Sequence, residues 1–163
     1  VSPEDLPNYK ENDPFVCLDF QKKVEYDCWV AGGKTQRVPA QRMIDFVQGK
    51  TSADFPKTSY QPGIVSVNLA EVLPPLIAKR LQKAFIKFGR KMKGYYTNNA
   101  VLHAPESRTS SPVSIPRDPE TMEHLDIKGL YPCGEGAGYA GGIISAAIDG
   151  INCVDAIAQK WSL

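Results

Sequence analysis

Two stretches of the chain place apolar residues at three- and four-residue spacing. From Leu69 onward, Leu73, Leu76, Ile77, Leu81, Ala84, Phe85 and Phe88 fall on one side, with Lys79, Arg80, Gln82, Lys83 and Lys87 mostly on the other. That pattern predicts an amphipathic helix. Pro74 and Pro75 must stand at its start or break a preceding turn, and Gly89 or Gly94 stops it. Near the end of the chain, Ile144, Ala147, Ile148, Ile151, Val154 and Ala158 form one side of a last helix, and Asp149, Asn152, Asp155 and Gln159 form a polar stripe. Gly141, Ala146, Ala147 and Gly150 are small enough to admit close approach of a sheet or a ligand. Gly150 costs roughly 1 kcal/mol of helix propensity relative to alanine, so a packing or ligand reason is expected for it.

Shorter runs predict strands. Phe15 to Phe20 and Val24 to Val30 combine aromatic and β-branched residues and read as two strands of a hairpin or meander, followed by a turn at Ala31-Gly32-Gly33-Lys34. Pro39 is expected to open a short helix through Gln48, with Gly49 ending it. Residues 50–63 read as a loop. Tyr95 to His103, Val113-Ser114-Ile115 and Gly129 to Cys133 are the remaining strand candidates. Residues 1–14, polar and holding three prolines, read as a connector.

The join between the last strand candidate and the last helix holds the sharpest chemistry. Gly134-Glu135-Gly136-Ala137-Gly138-Tyr139-Ala140-Gly141-Gly142 contains the G-x-G-x-x-G pattern at Gly136, Gly138 and Gly141. A helix N-terminus offers unpaired N–H groups and the positive end of the helix dipole, and glycines there remove the Cβ atoms that would hold a ligand away. Tyr139 to Ile143 is therefore expected to present backbone donors to a phosphate or to a negative charge developing on a ring. Glu135 argues against a plain phosphate cradle and suits a ribose or ribityl hydroxyl, or a role in holding the loop. The alternative is a tight strand-to-helix turn with no ligand. A first dinucleotide-binding unit would need a further strand after the helix, but the sequence ends at Leu163.

Composition narrows the classes. A chain of 163 residues, 42% hydrophobic and 23% charged, is that of one folded domain or slightly more. Net charge is +1, so no global field favours nucleic acid or an anionic membrane, and the basic cluster from Lys79 to Lys93 reads as a solvated helix face. No apolar run of about 18 residues occurs, which argues against a membrane-spanning helix. Val1 to Asp5 lacks the basic start and apolar core of a signal peptide. Cys17, Cys28, Cys133 and Cys153 have neither C-x-x-C nor metal-site spacing, so reduced structural thiols in a cytoplasmic protein and no metal are expected. The absence of an initiator methionine is compatible with an excised or processed piece.

The run Gly129-Leu130-Tyr131-Pro132-Cys133 through Gly134 to Gly150 resembles the C-terminal flavin motif of bacterial FAD-dependent (NAD-utilizing) dehydrogenases, a group related to glutathione-reductase-like flavoproteins. Glu106-Ser107-Arg108-Thr109-Ser110-Ser111-Pro112-Val113 with Arg117-Asp118 is similar to a second segment of that group, and Pro39-Ala40-Gln41-Arg42 to a third. The resemblance runs from about residue 39 to 158. It implies an α+β or α/β architecture: a substrate or cap domain inserted into a flavoprotein, with connecting segments, over 1–125, then the final strand, turn and helix of the FAD-binding Rossmann-like domain over 126–163. The N-terminal FAD fingerprint region would lie in a missing half.

By the same resemblance, Gly134, Glu135 and the turn Gly138, Tyr139, Ala140, Gly141, Gly142 and Ile143 approach the ribityl–pyrophosphate portion and pyrimidine edge of FAD. The helix dipole then favours the charge that the ring takes on when reduced. Arg108, with Thr109 and Ser110, can hold an acidic small-molecule substrate near the ring, or Arg108 can pair with Glu106 or cap the loop. NAD(P) enters as a second cofactor through the resemblance alone.

His103, His124, Tyr95 and Tyr96 read as structural, and Arg117-Asp118 as a local turn or ion pair. The whole protein is expected to be an FAD-dependent oxidoreductase, with this piece inactive alone and prone to dimerise through surface exposed by truncation. The competing reading is a noncatalytic small-molecule or protein binding module with a structural glycine turn.

Overall fold

The computed structural model describes residues 3–6, 13–108 and 110–162. Its class is α+β. Two compact units divide the chain, one formed by 22–107 and the other by 1–21 together with 108–163.

Helix α1, Val16–Ala31, replaces the two expected strands. Gln21-Lys22-Lys23 between the apolar runs contains no turn-forming residue, and glutamine and lysine are good helix formers. Lys23 and Asp27, four residues apart, pair at 2.8 Å on its surface. The expected turn follows, with the Gly32 N–H on the Cys28 carbonyl and the Lys34 N–H on the Trp29 carbonyl.

In the 22–107 unit, strand β1 (Val38–Arg42) leads directly into helix α2 (Met43–Gln48), so the helix begins after Arg42 rather than at Pro39. β1 is the middle strand of three, parallel to β2 (Ile64–Ser66) and antiparallel to β3 (Val101–His103). A central proline is unusual because it removes a ladder donor. Here the Pro39 carbonyl accepts from the Ala104 N–H, and the proline nitrogen falls where β3 has already ended. Gly49 ends α2 in the left-handed conformation, as the sequence predicts.

Helices α3 (Leu69–Val72) and α4 (Pro75–Lys91) divide the long apolar pattern at Pro74, with Pro75 in the first turn of α4. Asn68 caps α3 by accepting from the Ala70 N–H. Gly89 does not stop α4. A Cβ there would lie 2.4 Å from the Tyr96 Cβ, so the glycine admits Tyr96 against the helix.

Cys28, Phe46, Leu69, Ala78 and Ala104 form the core of this unit, with Val24, Phe85 and Leu102 packed against it. Gln41 is fully buried and bonded at both ends of its amide: the nitrogen donates to the Lys50 carbonyl at 2.7 Å and the oxygen accepts from the Leu69 N–H at 2.8 Å. The second bond ties the start of α3 to β1, and the first ties β1 to the segment after α2.

In the other unit, residues 108–163 form helix α5, Ile143–Trp161, and otherwise irregular chain. Gly129 to Cys133 and Val113 to Ile115, expected as strands, are not strands; neither has a ladder partner among the described residues. Of Tyr95 to His103, only the last three residues pair as β3. No helix of the described residues is long and apolar enough to cross a membrane.

Candidate functional site

The glycine-rich segment is a turn built on positive φ at Gly134 (69°) and Gly138 (85°), conformations that side chains disfavour. The Tyr139 N–H closes it on the Gly134 carbonyl at 3.1 Å, and the Gly138 N–H closes on Glu135 at 3.0 Å. Residues 111–115 lie along it. The Ser111 hydroxyl lies 2.8 Å from the Val113 carbonyl and 3.2 Å from that of Gly136, and the Ile115 N–H donates to Ala137 at 3.0 Å. Contact at Gly138 is too close for any side chain, since a Cβ would stand 2.7 Å from the Val113 carbonyl oxygen.

Arg117 holds this turn to α5. Its guanidinium lies 3.6 Å from the centroid of the Tyr139 ring. One nitrogen, Nη1, donates to the Pro132 carbonyl at 2.7 Å and to Asp149 Oδ2 at 3.0 Å, and it reaches Cys153 Sγ at 3.4 Å. The other, Nη2, meets Asp149 Oδ1 at 2.6 Å, making a two-pronged pair with side chains 8% and 13% exposed. Asp149 Oδ2 also accepts the Gly134 N–H at 2.8 Å. The Arg117 hydrogen bond, aided by the Gly134 amide and against the effect of burial, holds the Asp149 carboxyl below the usual carboxylate range. Tyr139 finishes the clamp by donating its hydroxyl to the Ile115 carbonyl at 2.7 Å.

Past Tyr139 the turn changes character. A Cβ on Gly141 would meet nothing within 4 Å, and Gly141 does not need positive φ, so nothing in the chain's own packing requires a glycine there. Gly142 exchanges hydrogen bonds with the Ser145 hydroxyl, and Ile143 is 90% exposed. The amides of Ile143, Ile144 and Ser145 open α5, where no earlier helical carbonyl is available to them. Glu135 is exposed. Gly150 likewise faces open space, so packing within the chain does not explain it.

The expected residues thus separate into two groups. Gly134, Gly138 and Tyr139 are committed to holding the turn; Ala140, Gly141, Gly142 and Ile143 form an open ledge at the helix start. Of the expected substrate residues, Arg108 and Ser110 are exposed, Arg108 being engaged with a partner, and Thr109 lies outside the described residues. Ser111, the third hydroxyl of that segment beside Thr109 and Ser110, reaches the turn. In the sequence Asp149 stands only as part of a polar stripe; an acidic residue within Ala146-Ala147-Ile148-Asp149-Gly150 is the available signal.

His124 is occupied structurally, its Nδ1 accepting from the Asp126 and Ile127 amides at 3.0 and 3.1 Å, and His103 packs its ring against Tyr60. Asp118 sets the local turn by accepting from Glu120 and Thr121, and these bonds hold its carboxyl below the usual range. Among the described residues, no group of three His, Cys, Asp or Glu side chains gathers as a metal site.

The open ledge could hold an anionic group: glycines clear the approach, and helix amides with the positive dipole end face it. Among the described residues, no strand with an acidic residue follows α5, as a dinucleotide-binding unit needs.

A family model described as "FAD-dependent protein, C-terminal domain-like" matches residues 1–109. A protein of Clostridium beijerinckii (strain ATCC 51743 / NCIMB 8052), named "Uncharacterized protein", is 39% identical over 165 residues, which takes in 100% of this chain and 30% of that protein. The glycine turn falls outside the region matched by the family model and inside the region shared with the Clostridium protein. The chain spans less than a third of that relative's length.

Proposed function

The chain belongs to the FAD-dependent protein, C-terminal domain-like family, and from that premise we propose that it is the C-terminal region of a larger FAD-dependent oxidoreductase. The glycine ledge at the start of α5 contributes to its flavin site. FAD, when bound, supplies hydride or electron exchange with a small substrate. The amides of Ile143, Ile144 and Ser145 and the α5 dipole favour negative charge at the bound group, while Gly141 and Gly142 let it approach. Glu135 accepts from a ribityl or ribose hydroxyl. The Arg117–Asp149 pair keeps the turn in place. Arg108, Thr109 and Ser110 hold an acidic substrate, and a nicotinamide cofactor serves as electron partner, a role that rests on the resemblance to FAD-dependent (NAD-utilizing) dehydrogenases alone. Residues 1–125 act as the inserted substrate or cap domain, and the dinucleotide fingerprint lies elsewhere in the whole protein.

The observation that carries this reading is Gly141: a glycine whose missing side chain is needed neither by backbone conformation nor by packing within the chain. A second reading, a noncatalytic binding module with a structural turn, draws support from Gly138, whose glycine is fully explained by contact with Val113. A whole protein containing this chain separates the two. It is expected to purify with the visible absorbance of flavin, and a Gly141→Val change should lower FAD retention at least tenfold without moving the thermal unfolding of the FAD-free protein. A colourless whole protein that takes up no added FAD sinks the flavin reading.

A further inference from the structure

Cys133 and Cys153 are nucleophilic side chains that the flavin reading leaves unused. Both are free thiols; Cys133 is exposed and Cys153 is buried. Each neighbour of Cys133 in the chain is tied to the cluster that surrounds Cys153. The Pro132 carbonyl accepts from Arg117 Nη1 at 2.7 Å, the Gly134 N–H donates to Asp149 Oδ2 at 2.8 Å, and the same Arg117 Nη1 reaches Cys153 Sγ at 3.4 Å. Asp149 and Cys153 stand one helical turn apart on α5. Cys133 is one of the groups that act on the Cys153 thiol. Burial pushes the Cys153 thiol up, and the Arg117 charge acts against that effect. Cys28 offers a contrast: it is buried in the core of the other unit, where burial and then the Asp27 charge push its thiol up to about 11.

We propose that Cys133 and Cys153 are a redox-modification site, oxidised by a low-molecular-weight disulfide to an intrachain disulfide that pins the start of the glycine turn to α5. Exposure sets the order of events. Cys133 loses its proton to solvent, and its thiolate attacks one sulfur of the small disulfide; a Cys133–S–S–R bond forms and one RS⁻ leaves. Cys153, as thiolate beside Arg117, then attacks the Cys133 sulfur, the bond from that sulfur to R's sulfur breaks, and a second RS⁻ leaves. Two protein thiols are oxidised, one small disulfide is reduced to two thiols, and the two protons released pass to the two RS⁻. The guanidinium 3.4 Å from Cys153 offsets part of the burial and of the Asp149 charge that together keep the proton on this thiol, so the second step is the slower one. Once closed, the link holds residue 133 where Arg117 and Asp149 already hold residues 132 and 134, so it stiffens the native turn. Its formation rests on this geometry alone; an effect on flavin retention rests on the reading above.

The test is made on the full chain without flavin, which keeps its failure separate from any failure of the flavin reading. The protein is incubated with glutathione disulfide, quenched with an alkylating agent, cleaved after lysine and weighed by mass spectrometry. Lys128 and Lys160 bound one peptide that holds both cysteines. In the unaltered protein this peptide is expected to lose two hydrogens and carry no alkyl label. Cys153→Ser should stop at a glutathione adduct on Cys133, and Cys153→Ala provides a second variant should serine disturb folding. A stable glutathione adduct on Cys133 with Cys153 alkylated in the unaltered protein would overturn the proposal, as would a peptide in which both cysteines remain labelled.

Discussion

Helices α4 and α5 carry the same kind of apolar periodicity, yet they are held by different forces. On α4, Ala78 is buried, Phe85 lies edge-on to Phe46, and the Gln82 amide donates to the Phe46 carbonyl at 2.9 Å. Its most exposed large apolar residue, Phe88, is 40% accessible and still packs on Tyr95. On α5 the engaged residues are Asp149, which holds Arg117 and Gly134, and the buried Cys153. Ile144, Ile151 and Val154 remain 72%, 60% and 62% exposed. Hydrophobic burial therefore fixes α4, whereas an ion pair and backbone hydrogen bonds fix α5 with its apolar stripe largely uncovered. An amphipathic pattern reports which side of a helix wants a partner; it does not report whether the same chain supplies one.

The largest expected effect comes from removing the partner of α4. Phe46 is fully buried, so Phe46→Ala leaves a cavity between α2 and α4 and should cost about 3–5 kcal/mol. Urea denaturation followed by the fluorescence of Trp29, which lies in the same unit, measures it. A loss below about 1 kcal/mol would mean that α4 is not held by this core.

On α5 the corresponding change is Asp149→Asn, which leaves Arg117 charged and mostly covered beside a neutral amide. A cost of about 3 kcal/mol is expected, at the lower end for breaking such a pair because the introduced amide keeps part of the hydrogen bonding. The pH dependence has a definite sign. Asp149 is held below its ordinary range in the folded chain, so its contribution is complete above about pH 4, where the unfolded carboxyl is also ionised. It is lost as pH falls through the lower folded value. Hydrogen exchange of the Gly134 amide, corrected for intrinsic rate, should show protection falling across that acid window in the unaltered chain. The variant should show weaker protection at neutral pH and a flatter profile, with a residual slope from Asp118 and Glu123, which are also held low. An unchanged profile would remove Asp149 from the account of the turn.

The legibility of the sequence follows the same division. Elements set by local rules are readable: the α4 and α5 periodicities, the Gly49 stop, and the turn at Gly32-Gly33. Helix α1 reads wrongly as strands because aromatic and β-branched residues suit either state when no turn residue separates them. β1 is hidden because a proline at its second position imitates a helix start. The glycine turn is visible as a motif, but not its inner division, since Gly138 is explained by Val113 and Ser114, which lie far back in the sequence. Arg117 and Asp149 stand 32 residues apart and have no shared pattern; only folding joins them.

The smallest expected effect is the sharpest check on the comparison. Ile151 lies on the uncovered stripe of α5, so Ile151→Gln removes little buried area and replaces a β-branched residue with a better helix former. Its stability should stay within about 0.5 kcal/mol of the unaltered chain, read by circular dichroism during thermal unfolding at low protein concentration. The same substitution should also weaken any association that raises the unfolding temperature as concentration increases, because bare isoleucines are what would drive it. A cost approaching that of Phe46→Ala at low concentration would mean that the stripe is covered within a single chain, and that α4 and α5 are held alike after all.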